Sequence, residues 1–100
     1  MKIKELFSDE SKWIQGYSAL DVKGRPVSRL DRSACKYCLS AAAWICYTNH
    51  CELLNVYQKI ENYLKNIGYT GLTHNSIVVF NDNSKTTFND IQLLVNTLDI

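Results

Sequence analysis

The sequence predicts a mainly α fold, a single helical domain over residues 1–100 built as a bundle of four to five helices around a buried central helix at about 31–48. Three observations carry this. Breakers are sparse, with one proline, Pro26, and four glycines, so long helices are the cheapest conformation. Leu53, Tyr57, Ile60, Leu64 and Ile67 recur at helical spacing and form one apolar stripe. Residues 38–47 are apolar on every side, which suits a helix with neighbours all round it.

Taken in order, Asp9–Leu20 is expected to be a first helix. Trp13, Ile14, Tyr17 and Leu20 share a face there, and Gly16 is its weak residue. Residues 21–30 carry turn chemistry at Lys23-Gly24 between Val22 and Val27, which fits a short hairpin or an extended loop; the loop is favoured. The central helix is expected to open near Asp31 or Ser33, whose side chains can accept the free amides of a first turn. Ala41, Ala42 and Ala43 would let neighbouring helices approach closely.

The helix over 52–67 places Glu61 one turn before Lys65 in the favourable order, and Gly68 supplies its stop. His74–Phe80 is ambiguous, since Ile77-Val-Val-Phe80 suits a buried strand as well as a short helix. A strand would need 21–30 as its partner, so a short helix is assigned. Thr87 and Asp90 have capping-box spacing with Asp in place of Glu, so a last helix starts at Phe88 and buries Ile91, Leu94, Val95 and Leu98.

Composition limits the functions. With 46% hydrophobic residues the chain can bury one core without metal or disulfide help. Lys and Arg number 11 against 10 Asp and Glu, so no strong field draws in nucleic acid or anionic lipid, and nucleic acid is not an expected partner. The longest apolar run, Leu39–Tyr47, is interrupted by Ser40 and falls far short of the roughly 20 residues that span a bilayer. The N-terminus moves from Met1-Lys-Ile-Lys straight to Glu5 with no apolar leader core, and the expectation is a cytoplasmic protein without a membrane role.

Cys35, Cys38, Cys46 and Cys51, with His50 beside the last, raise a zinc reading. On one continuous helix, however, Cys38 and Cys46 would stand about 12 Å apart along the axis, too far for one tetrahedral ion. A thiol-dependent enzyme or redox sensor built on Cys38 is the other chemical reading, with His50 or His74 as base. Against it, neither histidine sits in a catalytic motif, and buried cysteine commonly serves as a small hydrophobe. Asp21, Asp31 and Asp82 suit turn and helix capping better than acid–base work. Lys23, Arg25, Arg29, Arg32 and Lys36 cluster in sequence and are read as a solvated face in preference to a phosphate or partner patch. Tyr47, Tyr57, Tyr63 and Tyr69 are the expected makers of an exposed aromatic patch.

Three strings stand in a distinctive order: Trp13-Ile-Gln-Gly16-Tyr17-Ser-Ala19, then Asp21-x-x-Gly24-Arg25-Pro26-Val27, then Ala34-Cys35-Lys36-Tyr37-Cys38-Leu39-x-Ala41-Ala42. Asn81-Asp82 with Thr87 and Asp90-Ile91 follow. Together they resemble a domain-of-unknown-function family of small uncharacterised bacterial and phage proteins. That family is marked by a Trp-x-x-Gly-Ala start, a Trp-Cys-x-x-Gly-Ala centre and an Asn-Asp-x-x-x-x-Thr end. Tyr17, Tyr37 and Ala41 stand here where the pattern has Ala, Trp and Gly. The resemblance implies a shared scaffold with no activity attached, and it singles out Cys38 among the four cysteines. It also joins Asn81 and Asp82 to the Trp13–Asp21 region, either to bind something or to lock a buried hydrogen-bond network.

The expected function is therefore a non-enzymatic binding or regulatory module, a phage or mobile-element accessory protein acting on a host protein. Its binding residues are expected among Trp13, Tyr17, Asp21, Cys38, Asn81 and Asp82. No catalytic residue, metal ligand or cofactor is assigned.

Overall fold

A computed structural model describes residues 1–69 and 76–100. Its helices are α1 (Ile3–Leu6), α2 (Leu39–Cys46), α3 (His50–Asn66), α4 (Ser76–Asp82) and α5 (Phe88–Leu98), with a 3-10 turn at Glu10–Lys12. The strands β1 (Ala19–Leu20), β2 (Pro26–Val27) and β3 (Lys36–Tyr37) form an antiparallel sheet in the order β2-β1-β3. The fold is thus mainly helical, with a small sheet of which the sequence offered only the hairpin at 21–30, as the alternative to a loop. No helix among the described residues is long and apolar enough to cross a membrane.

The expected first helix over 9–20 is not formed. Asp9 caps only the 3-10 turn, through the amide of Ser11, and Trp13 then leaves in an extended conformation. Gly16 has φ +85°, a left-handed conformation that ends any helix and favours glycine. The backbone groups of this segment bond outward instead, as where the Ile14 amide donates to the Tyr37 carbonyl at 3.1 Å. The helical spacing of its apolar residues is coincidental, because the segment is fastened to strands and to α4.

Residues 21–30 form the hairpin rather than the favoured loop. Ala19 faces Val27 and Leu20 faces Pro26 across it, and Gly24, at φ +79°, turns the chain. Asp21 builds the turn: its Oδ1 accepts the amides of Lys23 and Arg25, each at 2.9 Å, and Oδ2 accepts Arg25 Nε at 2.7 Å. Pro26 sits on the edge strand, where its missing amide costs no ladder bond.

The central helix is shorter than expected and begins at Leu39, not near residue 31. Asp31 does accept an amide, that of Ser33, but in an isolated turn. Residues 35–38 then pair beside β1: the Cys35 amide donates to the Leu20 carbonyl at 2.9 Å and the Cys38 amide to that of Ser18 at 3.0 Å. Those bonds hold the backbone extended until Cys38 caps α2. Within α2, Leu39, Ala41, Ala42 and Ala43 are all buried.

Leu53, Val56, Ile60 and Leu64 of α3 and Ile91, Leu94 and Val95 of α5 enclose the same core, with Ile3, Phe7 and Ile100 closing one end. Ile67, placed on the α3 stripe by its spacing, instead follows the helix and is half exposed. The segment 77–80 lies within α4, and the helix explains its burial pattern. Ile77, Phe80 and Asn81 turn inward at helical spacing while Val78 and Val79 face out. The start of the ambiguous stretch, His74 included, lies outside the described residues. In α5 the capping box forms as expected, with Thr87 Oγ1 accepting the Asp90 amide and Asp90 Oδ2 accepting the Thr87 amide.

Candidate binding site

Asn81 is 1% exposed and uses its whole side-chain amide. Its Oδ1 accepts from the Trp13 indole Nε1 at 2.7 Å and from the Leu39 amide at 3.0 Å. Both of these groups can only donate, which fixes the orientation of the amide. Its Nδ2 donates to the Ile14 carbonyl at 3.1 Å and to Asp82 Oδ1 at 2.9 Å. Asp82 Oδ1 also takes the Gly16 amide at 2.9 Å. Gln15 Nε2 adds bonds to the carbonyls of Asn81 and Asn83, both at 2.9 Å. One network thus clamps the irregular 13–16 segment to α4 and to the head of α2.

Three of the expected site residues, Trp13, Asn81 and Asp82, share this lock, and two more, Tyr17 and Cys38, border it. Asp21 does not. It is buried in its own turn, where the amides of Arg25 and Lys23 and the Arg25 guanidinium hold its carboxyl below the usual range, and its work there is structural.

Beside the lock lies a cavity of about 200 Å³. One wall is the strand approach, Gly16 to Ser18; another is the first turn of α2 with Cys38 and Ser40; a third is α4, with Val78 and Asp82. Arg29 completes it. Tyr17 and Val78 stand 53% and 45% exposed, so apolar side chains flank the mouth.

Arg29, read from the sequence only as one member of a solvated basic face, is not solvated throughout. Its guanidinium lies 4.4 Å from the centre of the Trp44 ring, a cation–π contact. Its Nε is sealed from solvent and finds no acceptor among the described residues. An orphaned buried donor of this kind costs about 1–3 kcal/mol, and more when charged. Asp82 lines the same cavity, yet the two form no ion pair among the described residues, where the ion pairs are Lys2 and Lys4 with Asp99 and Arg25 with Asp21. No local sequence signal could have separated Arg29 from the basic residues around it, because its partner Trp44 lies beyond a strand and a turn.

The thiol of Cys38 is half buried at the N-cap of α2 and accepts from the Ala41 amide at 3.4 Å. Burial pushes it up, against the amides of Ala41 and Ser40, and the Asp82 charge raises it further. Burial thus works against the thiolate form that nucleophilic chemistry needs. No histidine is hydrogen-bonded to it among the described residues, and His74 lies outside them. Among the described residues no three Cys, His, Asp or Glu side chains converge on one point.

The expected tyrosine patch is not present. Tyr47, Tyr57, Tyr63 and Tyr69 are half buried against the core. The hydroxyls of Tyr47 and Tyr57 donate to the carbonyls of Ile100 and Ser40, and that of Tyr69 accepts from Asn83 Nδ2. Their amphipathic character serves to fasten helices, and the exposed ring is that of Tyr17. Neither a protein-family model, nor a curated protein, nor a solved structure matches this chain.

Proposed function

We propose that the chain is a non-enzymatic protein-binding module whose contact face is the cavity mouth between Tyr17 and Val78. In this reading it is a phage or mobile-element accessory protein that engages a host protein in the cytoplasm, as its family resemblance suggests. One observation carries the reading: Arg29 and Asp82, of opposite charge, face a single cavity without neutralising each other, beside exposed apolar side chains. Apolar rims around a few fixed polar groups are the usual composition of protein contact sites. A cavity of about 200 Å³ is smaller than the roughly 300–1,000 Å³ of drug-sized ligand pockets, which favours a single inserted side chain.

The test is affinity capture from native host extract with the wild-type chain, the Tyr17→Ser/Val78→Ser double variant, and Leu54→Ser on α3, which leaves the cavity untouched. The reading predicts a partner retained by wild type and Leu54→Ser and lost by the double variant. A partner held equally by all three would refute this face. The thiol-dependent alternative rests on Cys38 standing at the positive end of α2. It requires Cys38 to alkylate in the folded protein at least as fast as exposed Cys51.

A further inference from the structure

We infer that the cavity between Arg29 and Asp82 is a carboxylate-binding site that selects a singly charged acid with a hydrogen-bond donor beside it. The inference rests on the binding role proposed above and names the chemistry of the group that enters. Arg29 is held by its stack on Trp44, so its planar fork is already ordered before anything binds. It has no side-chain acceptor among the described residues, and since its Nε is sealed from solvent and cavity alike, a ligand would meet the two terminal nitrogens of the guanidinium. A guanidinium kept in that state lacks the planar two-oxygen partner it matches best.

Asp82 sets the selectivity. Its Oδ1 is committed to Gly16 and Asn81, and its position is therefore fixed. A fixed negative charge on the same cavity disfavours a phosphate dianion more than a carboxylate. Its remaining oxygen can accept from an N–H on the ligand. A glutamate or aspartate side chain with its own backbone amide satisfies both walls, and so does a small free acid bearing an N–H group.

The test uses the whole ¹⁵N-labelled chain, following the Arg29 Nε–H signal and the amides of Gly16 and Ala41. The probes are N-acetylglutamate amide, N-acetylglutamine amide, acetate and inorganic phosphate. Saturable shifts with the glutamate derivative, at least about tenfold weaker with the glutamine derivative, are expected from the loss of a charge-assisted pair. Arg29→Lys should abolish saturation at Gly16 and Ala41, and Asp82→Asn should improve phosphate relative to acetate. Preference for the glutamate derivative over acetate assigns the occupant to a peptide side chain, and equal response assigns it to a free carboxylate.

Equal response to the glutamate and glutamine derivatives overturns the inference on wild-type protein alone, whatever becomes of the variants. So does a wild-type response that Arg29→Lys leaves unchanged. Should the carboxylate fail while capture still depends on Tyr17 and Val78, the binding role stands and only its chemistry is wrong. Carboxylate binding without a Tyr17-dependent partner instead removes the protein-binding role and leaves the site.

Discussion

Asn81 shows at the scale of one residue how a polar side chain can hold irregular backbone in place. Replacing it by alanine strips partners from the Trp13 indole, the Leu39 amide and the Ile14 carbonyl together. Asn81→Ala should therefore cost about 3 kcal/mol or more. At about 4–8 °C per kcal/mol, the melting midpoint should fall by well over 10 °C. Asp82→Asn, which still offers Gly16 an acceptor, should stay within about 1 kcal/mol, and thermal melts of both variants check the contrast. Cys38 gives a second expectation: with burial pushing its thiol up, iodoacetamide at neutral pH should label Cys51 well before Cys38, as mass spectrometry of the folded protein would show. The tie of Asn81 and Asp82 to the Trp13 region was suggested only by the family resemblance, which left binding and a structural lock both open. Arg29 was not legible, since a basic residue among basic residues looks solvated until the fold brings Trp44 beneath it.

Among the elements, legibility followed how locally each one is determined. The stripe of α3 as far as Leu64, its glycine stop and the capping box of α5 depend on residues within a few positions, and these formed, while Ile67 fell outside the stripe. The segments 9–20 and 31–38 were read as helices and are not, because their backbone bonds go to partners remote in sequence. Helical spacing of Trp13, Ile14, Tyr17 and Leu20 could not reveal that. Gly16 offers a check on this account. A Cβ there meets nothing within 4 Å, so any cost of Gly16→Ala comes from its φ of +85° alone. The expected loss is about 1–2 kcal/mol by denaturant unfolding. An unchanged or raised stability would mean that the 13–18 segment has a conformation other than this one. Thr87→Ala should cost about 1 kcal/mol through the lost cap of α5.

For the molecule as a whole, acid and base limits follow from groups spread along the chain. Lys2 and Lys4 hold the Asp99 carboxyl down from 3.8 to about 2, so its contribution to stability is present above its unfolded value and lost as pH falls toward 2. Burial raises the thiols of Cys38 and Cys46 above their usual 9.0 and the phenols of Tyr37 and Tyr47 above 10.0, so their contribution is lost as pH rises through that range. Calorimetric midpoints should therefore be flat from about pH 5 to 8 and fall on both sides, with Asp99→Asn softening the acid limb. The irregular segment, α2 and α4 meet at the cavity, and the proposed function places the partner there. Hydrogen exchange of the wild-type chain, free and bound to the captured partner, tests this claim most directly. Added protection over residues 16–18, 38–41 and 78–82 is the predicted result; protection over the outer face of α3 around Leu54, with those segments unchanged, would contradict it.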